Sequence, residues 1–465
     1  MLFFDRNIFQ VNSQYLSSEQ KAALDLMRQG HSIFLNGEPG TGKSVVVQAF
    51  RKENPYAVVL LAPSGVAAFN IGGQTIHSFF KLSPTMQDPD DLIELSPERK
   101  EAINAIRTFV IDEVNMLRSD VLQAVDRRLR ECEKKDLHYG GKQMIFAGDF
   151  AQLPPVVADE EDKRYLQDRM NGVFAFEASS WIKKIKIFQL TENFRASDHY
   201  YLYALDLIRH GNPDGLKIFN QRTISKVGNP PQDVIVLTPT YRDAHKINQK
   251  KLKSIDAEST EIDSYQEGIT IRYKPSLPKL RLKVGARVLL TANNYVPGHE
   301  YVIGDTGEVV GIDLNKERII VSLDRDSREV KVVRKKWVNY DFLCDLKTGK
   351  IYKDEVGCFD QFPLKPGWAI PIHLAQGMTI PRLAVDLGDG CFCSGQLYVA
   401  LSRGQSLSEL WLYDDVKEED LITDCKVQEF PCLPSTKPDQ PWNIQKDLGL
   451  FKRLGKFLKK YFCTK

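Results

Sequence analysis

Short apolar segments alternate with longer amphipathic ones in the first third of the chain. Four of these segments have the length and composition of buried strands, at residues 32–36, 57–62, 108–111 and 143–147. A glycine turn follows the first, and a helix is predicted over residues 44–52. Short buried strands separated by helices are typical of a parallel sheet covered on both faces. The pattern therefore predicts an α/β fold.

A second α/β unit is predicted to begin at residues 233–238, with a helix over residues 241–252. From about residue 280 to 362 the pattern changes to short β stretches broken by glycine, which favours a small β-barrel inserted into this unit. The α/β pattern then resumes and runs to about Tyr413. Earlier, residues 81–100 interrupt the first unit with three prolines, and we interpret them as an inserted hairpin or arm.

Composition limits the class of protein. The 465 residues are 42% hydrophobic and 27% charged, values typical of a globular protein of two to four domains. No run of about 18 apolar residues occurs in the sequence, so no membrane span is predicted. The first twenty residues lack the features of a secretory signal. The eight cysteines are scattered, and Cys391 and Cys393 are poorly spaced for zinc. We therefore expect a cytoplasmic protein in a nucleoid context. Its net charge of +2 neither favours nor excludes nucleic acid.

The sequence GEPGTGKS at residues 37–44 fits the phosphate-binding P-loop pattern, with a strand before it and a helix after it. Glycines let the backbone wrap phosphates, and the helix N-terminus supplies positive potential. Lys43 is expected to reach the β- and γ-phosphates, and Ser44 to hold Mg²⁺. A glycine-rich turn that binds nothing is the alternative, which the flanking elements disfavour. The predicted ATP-binding residues are Gly37, Gly40, Thr41, Gly42, Lys43 and Ser44.

Two further motifs supply candidate chemistry for hydrolysis. The apolar strand that starts at Phe109 ends in Asp112 and Glu113, which would hold Mg²⁺ and polarise the attacking water. Alone, such a pair could be a solvated strand end, but beside a P-loop it indicates hydrolysis. Gln152, in GDFAQLPP, lies where a γ-phosphate sensor is needed, although a turn fixed by two prolines would explain the same pattern.

Arg195 in LTENFR and Arg403 in LYVALSR are candidates for stabilising the transferred phosphoryl group, because a guanidinium offers a fork of donors. If Arg403 belongs to the second α/β unit, it reaches the nucleotide across a cleft, and hydrolysis is coupled to closure. On sequence alone, either arginine is more often a surface salt-bridge partner.

The motifs and their order resemble superfamily 1B helicases, specifically the petite-integration-frequency helicase family. The resemblance spans about residues 14 to 413 and rests on EQ at Glu19 and Gln20, GEPGTGKS, APSGVAAFNIGGQTIHSFF, VIDEVNML, GDFAQLPPV, LTENFR, HLAQGMTI and YVALSRG. It implies an ATP- and Mg²⁺-dependent DNA helicase that moves 5′→3′ on single-stranded DNA and opens duplex at junctions. It also implies roles in DNA repair, replication, recombination and telomere maintenance.

The resemblance also implies a domain plan. Residues 1–190 would be a RecA-like motor domain 1A carrying a 1B wedge at about 81–100. Residues 191–279 and 366–424 would be the RecA-like domain 2A. Residues 280–365 would be an SH3-like 2B barrel inserted into domain 2A, and residues 425–465 a basic C-terminal tail.

Site residues follow from the same resemblance. Gln20 would read adenine, while Gln152, Arg195 and Arg403 would sense or stabilise the γ-phosphate. The family's strand-contacting motifs match Pro63, Thr75, His77, Ser78 and Phe79 in the first unit, and His373, Gln376, Gly377 and Thr379 in the second. Two departures stand out. Leu374 and Ala375 replace the usual Lys-Ser, and Asn115 stands where serine is common. Neither touches the predicted hydrolytic set, so we expect DNA affinity or coupling to be affected rather than ATPase activity.

Aromatic and basic groups could contribute to DNA binding independently of the resemblance. Phe79 or Phe80 could stack on bases, and one of the two is expected in the core because adjacent residues point apart. Basic residues at the start of the barrel could meet phosphates or form a solvated face. The basic amphipathic tail over residues 450–461 could pack on the protein, or contact DNA, a membrane surface or a protein partner.

Two other functions compete with the helicase reading. An ATP-switched DNA-binding or loading factor would share the P-loop but not the wedge and the second motor unit. A silent scaffold would not need the complete set of catalytic candidates, which this sequence retains.

Overall fold

Six strands form the first sheet of the computed structural model, which describes residues 16–430 except 56, 158, 182–184, 269–273 and 295. They are β1 (Ile33–Gly37), β2 (Val58–Ala62), β3 (Gln74–Thr75), β4 (Thr108–Ile111), β5 (Gln143–Gly148) and β6 (Lys186–Leu190). All neighbouring strands are parallel, in the order β3-β2-β4-β5-β1-β6. The carboxyl ends of β1, β4 and β5 therefore lie side by side and carry the P-loop, the Asp-Glu pair and the GDFAQ motif.

Helices cover both faces of this sheet, as its apolar strands require. They are α1 (Ser18–Arg28), α2 (Lys43–Glu53), α3 (Gly65–Asn70), α4 (Ile76–Phe80), α5 (Pro97–Asn104), α6 (Ser119–Glu133) and α7 (Glu160–Met170). Phe34 of β1 packs into one hydrophobic core, and its neighbours Ile33 and Leu35 pack into the other. Alternate residues of a strand point to opposite faces, so an uninterrupted apolar strand fills both layers.

The second parallel sheet has four strands and its own core. The chain enters it through α8 (His199–Arg209), α9 (Asp214–Phe219), α10 (Ile224–Val227), β7 (Ile235–Thr238) and α11 (Tyr241–Lys253). Between α11 and the return to this sheet, the described residues form an antiparallel insertion of ten strands. These strands are β8 (Thr260–Asp263), β9 (Tyr265–Gly268), β10 (Lys279–Leu282), β11 (Arg287–Leu290), β12 (Thr306–Asp313), β13 (Arg318–Leu323), β14 (Glu329–Val333), β15 (Lys335–Asp345), β16 (Lys350–Gln361) and β17 (Leu364–Pro366).

The inserted strands form three antiparallel sheets, β14-β13-β12-β11-β17, β15-β16-β9 and β10-β8. The insertion begins earlier than the predicted boundary at residue 280, because β8 pairs with β10 and β9 pairs with β16. The β15–β16 hairpin reaches back to the first unit. There Lys81 donates to both Asp341 carboxylate oxygens at 2.7 and 2.8 Å, and Arg99 Nη1 lies 3.3 Å from Asp341.

The chain then completes the second sheet and crosses back to the first unit. The remaining elements are β18 (Ala369–Pro371), β19 (Leu383–Val385), α12 (Gln396–Leu401), β20 (Leu410–Leu412) and α13 (Cys425–Glu429). The sheet order is β18-β7-β19-β20, with every pair parallel. After α13, the Phe430 ring lies 4.3 Å from Phe176 and 5.2 Å from Phe150, centroid to centroid, in the aromatic core of the first unit.

The predicted strands are confirmed to within two residues at each end, but β3 and β6 were missed. Both are edge strands, and β6 is only partly buried, so it lacks the continuous apolar run of its neighbours. Residues 81–100, predicted to be an inserted hairpin or arm, do not form a hairpin. Residues 81–96 contain no strand, and Pro97 instead takes the first position of α5, behind the capping Ser96. No helix within the described ranges is long and apolar enough to cross a membrane. The predicted amphipathic tail lies outside the described residues.

Candidate functional site

Two glycines of the P-loop lie at positions that would not accept a side chain. Gly40 and Gly42 have φ angles of +93° and +80°, in the left-handed region that favours glycine. A Cβ on Gly40 would lie 2.6 Å from Arg195 Cβ, and one on Gly42 would lie 2.3 Å from Gln20 Nε2. The loop is therefore in close contact with Gln20 of α1 and with Arg195, which follows β6.

Lys43 and Ser44 begin α2 where the loop ends. Lys43 Nζ donates to the Gly37 carbonyl at 2.6 Å and to the Glu38 carbonyl at 3.2 Å. Burial lowers the pKa of Lys43, and nearby carboxylates oppose that effect. The Ser44 hydroxyl lies 3.3 Å from Asp112 Oδ2. The loop therefore brings an ammonium, a hydroxyl and a carboxylate to one place, as the P-loop prediction requires.

The carboxylates of Asp112 and Glu113 follow β4 directly. Glu113 has a φ of +53° and donates its backbone N–H to Asp112 Oδ1 at 3.0 Å, which turns the two side chains apart. Burial, and then the charge of Asp112, raises the pKa of Glu113 to about 7. A carboxylate with a raised pKa in a cleft is suited to accept a proton from water.

Gln20 supports the loop from α1. Its side chain completes a capping box with Ser17, and its Nε2 donates to the Thr41 carbonyl at 3.2 Å. The neighbouring Glu19 accepts from the Thr191 backbone N–H at 2.8 Å, so α1 also joins the segment that carries Arg195. Gln20 thus lies beside the P-loop, and its role in reading adenine stays a prediction.

The GDFAQ turn meets the second unit closely. Gln152 is 4% exposed, and its backbone N–H donates to the Asp149 carbonyl at 2.9 Å. A Cβ on Gly395, which precedes α12, would lie 2.4 Å from the Ala151 carbonyl oxygen and 2.5 Å from that of Gln152. The start of α12 is therefore packed directly on the predicted sensor turn.

Gln376 and Arg195 join the two units beside the P-loop, and Arg403 lies in the second unit. Gln376 Nε2 donates to Glu113 Oε2 at 2.8 Å. Arg195 donates to Thr379 Oγ1 and to the Ser402 carbonyl, each at 2.9 Å. Arg403, 1% exposed, follows α12, and burial lowers its pKa while the charge of Glu113 raises it. The prediction that Arg403 belongs to the second unit agrees with this position.

The two arginines lie close enough to repel each other. Burial, and then the charge of Arg403, lowers the pKa of Arg195. Two guanidinium groups that repel each other favour an anion between them. The charge of Arg195 also lowers the pKa of Lys43, so this group of cations is suited to a phosphate group.

The predicted DNA motif of the first unit lies mainly on α4 and before α3. Thr75 caps α4 by accepting from the Ser78 backbone N–H at 3.2 Å. Pro63, His77 and Ser78 are partly exposed. Phe79 and Phe80 are both buried, at 1% and 0% exposure, and pack on Phe109. The expectation that one of them faces outward is wrong. In this structure Phe79 is a core residue, because its ring packs with that of Phe80 against Phe109 of β4.

The matching motif of the second unit is divided between two surfaces. His373 is exposed. Gln376, Gly377 and Thr379, predicted to contact DNA, instead have their polar contacts with Glu113 and Arg195. Ala375 is fully buried in the second core, where it packs without the hydroxyl of the family's usual serine. Asn115 is also buried, and its amide donates to the Leu153 carbonyl at 3.0 Å.

Comparison with known proteins gives consistent matches. The model of PIF1-like helicases matches residues 15–202. The ATP-dependent DNA helicase Pif1 of Bdellovibrio bacteriovorus is 33% identical over 428 residues, which cover 89% of this chain and 91% of that protein. This chain belongs to the PIF1-like helicase family. The family and enzyme class predicted from sequence, a DNA helicase and ATPase, are therefore confirmed.

Solved PIF1-like structures share the fold. Pif1 from Bacteroides sp. in complex with ADP-AlF4 superposes with a TM-score of 0.79 at 29% identity, covering 89% of this chain and 96% of that one. The same Bacteroides helicase bound to single-stranded DNA superposes with a TM-score of 0.65 at 29% identity over the same shares. The parallel-sheet α/β core is thus that of known PIF1-like helicases.

Sequence reasoning missed one candidate binding residue of this PIF1-like chain. Phe194 is 54% exposed although it is a large apolar residue. Its backbone N–H donates to the Gly40 carbonyl at 2.9 Å, and its ring would lie 3.8 Å from a Cβ on Gly42. An exposed ring beside Gln20 offers a flat face for a base. The available signal was its position next to Arg195 in LTENFR.

Proposed function

We propose that this protein moves 5′→3′ along single-stranded DNA and opens duplex at junctions, driven by ATP hydrolysis at the interface of its two α/β units. The observation that carries the proposal is the hydrogen bond between Gln376 of the second unit and Glu113 of the first. A site built from both units changes when the units move apart, which couples hydrolysis to motion. The direction of movement rests on the family resemblance.

The nucleotide would be held by the P-loop. Lys43 and the backbone N–H groups of Gly40, Thr41 and Gly42 suit the phosphates, and Gln20 with Phe194 suits adenine. The Ser44 hydroxyl and the Asp112 carboxylate lie 3.3 Å apart, and both are oxygen ligands of the kind that Mg²⁺ prefers, so this pair fits Mg²⁺. Bound there, Mg²⁺ would neutralise charge on the phosphates.

Hydrolysis would use groups from both units. Glu113 would orient the attacking water and accept its proton, with Gln376 fixing the carboxylate. Arg195 and Arg403 would stabilise charge on the γ-phosphate, and their mutual repulsion would be relieved by it. Gln152 would sense the γ-phosphate from the turn that α12 packs on.

The domain plan supports a DNA path across both units. We assign the two parallel sheets to RecA-like motor domains 1A and 2A, the antiparallel insertion to an SH3-like 2B domain, and residues 81–100 to a 1B wedge. Pro63, Thr75, His77 and Ser78 in the first unit and His373 in the second remain candidates for DNA contact. The Lys81–Asp341 ion pair joins the wedge to the insertion, which suits a junction-facing surface.

Unwinding of 5′-tailed and 3′-tailed duplexes, with ATP and Mg²⁺, tests the proposal. We expect strand separation of the 5′-tailed substrate only, and phosphate release that rises when single-stranded DNA is added. Lys43→Ala should abolish both activities and leave DNA binding largely intact. ATPase stimulation without separation of either substrate would favour the loading-factor alternative. Preference for the 3′ tail would overturn the assigned direction.

A further inference from the structure

The insertion touches the loop that brings the second unit to the nucleotide site. This loop, residues 376–380, lies between β18 and β19. Met378 at its centre is 9% exposed and packs in the core of the second unit. Gly304, in the connection between β11 and β12 of the insertion, lies against it, because a Cβ on Gly304 would be 3.3 Å from Met378 Cε. The proposed hydrolysis gives this contact no role.

The residues on either side of Met378 hold groups of the nucleotide site. Gln376 donates from Nε2 to Glu113 Oε2 at 2.8 Å. Thr379 Oγ1 accepts from Arg195 Nε at 2.9 Å. Both Gln376 and Thr379 are close to Met378 along the backbone, so a displacement of Met378 would shift them.

The same loop reaches two further parts of the molecule. The Ile380 N–H donates to the Arg403 carbonyl at 2.9 Å. A Cβ on Gly377 would lie 3.7 Å from Nδ2 of Asn70, the last residue of α3. That helix belongs to the segment APSGVAAFN, part of the motif that the family resemblance assigns to strand contact. The loop therefore lies where the insertion, the predicted DNA motif and the nucleotide site meet.

The turn that carries Gly304 is fixed to the insertion by hydrogen bonds. The Gly304 N–H donates to the Leu290 carbonyl at 3.0 Å, and the Leu290 N–H donates to the Asp305 carbonyl at 2.8 Å. Asp305 Oδ2 also accepts from the Val302 N–H at 2.8 Å. Leu290 is fully buried in the core of the insertion. The turn therefore moves with the insertion, and close-packed contacts pass such movement to their neighbours.

We propose that Met378 is a positioning residue for ATP hydrolysis, through which the insertion sets the placement of Gln376 and Thr379 in the nucleotide site. This inference rests on the proposed function, because it assigns a task within the same site. Met378 does not touch the reacting atoms. A DNA strand held by the insertion would thereby act on hydrolysis through packed side chains, without contacting the nucleotide.

Two glycines of the same connection give a matched pair of variants. Gly304 and Gly298 have φ angles of +95° and +78°, so alanine strains the backbone at both positions. The methyl group of Gly304→Ala meets Met378, whereas that of Gly298→Ala has no described residue within 4 Å. We expect Gly304→Ala to lower the single-stranded-DNA-stimulated kcat by roughly threefold or more, and Gly298→Ala to leave it near the wild-type value. Binding of a fluorescent ATP analogue should change little in both, because neither residue lies on the P-loop.

Substitutions of Met378 test the contact from its other side. Met378→Ala should lower kcat by roughly tenfold, whereas Met378→Leu, which conserves volume, should retain most of it. Ile218→Ala is the control for lost packing, because Ile218 of α9 is 8% exposed in the same core. It should lower the melting temperature without a selective loss of kcat. In the Met378→Ala background, Gly304→Ala should cost no more kcat than Gly298→Ala does.

The measurements separate this inference from the proposed function. Phosphate release and analogue binding need no duplex, so both report on Met378 even if the wild-type protein fails to unwind DNA. Equal kcat in folded Gly304→Ala and Gly298→Ala would overturn the inference. A loss of kcat in Met378→Ala no greater than that in Ile218→Ala would also overturn it, and would leave Met378 a packing residue.

Discussion

Gln376 of the second α/β unit donates a 2.8 Å hydrogen bond to Glu113 of the first unit, the carboxylate that we propose activates water. Burial and Asp112 raise the pKa of that carboxylate to about 7. Its orientation therefore depends on a residue that moves with the other half of the molecule. The sequence predicts Gln376 as a DNA contact, and the fold places its side chain on Glu113.

Gln376→Leu keeps the size of the side chain and removes the donor. We expect kcat for ATP to fall by roughly tenfold or more, because Glu113 loses the group that orients it. Nucleotide affinity should change little, because Gln376 does not lie on the P-loop. Steady-state ATPase assays with single-stranded DNA, together with analogue binding, measure the two effects. Gln249→Leu, on the exposed face of α11, is the control. Equal losses in kcat and affinity would contradict this role.

Arg403→Gln should reduce hydrolysis by about 10²-fold while ATP still binds, because its guanidinium acts on charge that develops during transfer. Arg403 also donates to the Val399 carbonyl at 2.9 Å and to Ser402 Oγ at 2.7 Å. Arg222→Gln is therefore the control, since Arg222 likewise donates to backbone carbonyls, at Leu410 and Ser408. It should lower the melting temperature without a selective loss of kcat. If both variants behave alike, Arg403 is a structural arginine.

Gly395→Ala should separate α12 from the sensor turn. The new methyl would lie 2.4 Å from the Ala151 carbonyl oxygen, a distance that forces the backbone to shift. We expect a large fall in DNA-stimulated ATPase activity, with DNA binding retained in the absence of nucleotide. Gly388→Ala provides the control, because Gly388 also has a positive φ but has nothing within 4 Å of its Cβ position. An equal loss of ATPase activity in the two variants would show that backbone strain at a positive φ, and not contact with the turn, causes the loss.

Phe430→Ala should destabilise the first unit. Its ring contacts Phe176, Phe150 and Trp181 in the aromatic core. Removing a partly buried ring should lower the free energy of unfolding by about 1–3 kcal/mol. Denaturant titration followed by tryptophan fluorescence measures the change. Phe392→Ala, with 66% exposure, should cost far less. A cost for Phe430→Ala no greater than that for Phe392→Ala would mean that the contact is incidental.

The central strands and the P-loop could be predicted because their signals are local. β1, β4 and β5 are apolar runs that each end in a glycine or carboxylate motif, and the chemistry of each motif is written within a few residues. The edge strands β3 and β6 were missed because a half-buried strand has no continuous apolar run. Phe79 was misassigned because the burial of α4 depends on the sheet beneath it.

Contacts between the units could not be read from sequence. Gln376 and Glu113 are 263 positions apart, and Arg195 and Thr379 are 184 apart. No local pattern pairs such residues. Their meeting depends on how the two sheets pack against each other, and motif spacing does not encode that arrangement.

The chain crosses between the units twice, once from β6 to α8 and once from β20 to α13, where Phe430 anchors it. Two connections at separate points restrict the relative motion of the units more than a single linker would. We expect the two units to rotate about a single axis that passes through both crossings. Each ATPase cycle would then repeat the same rotation.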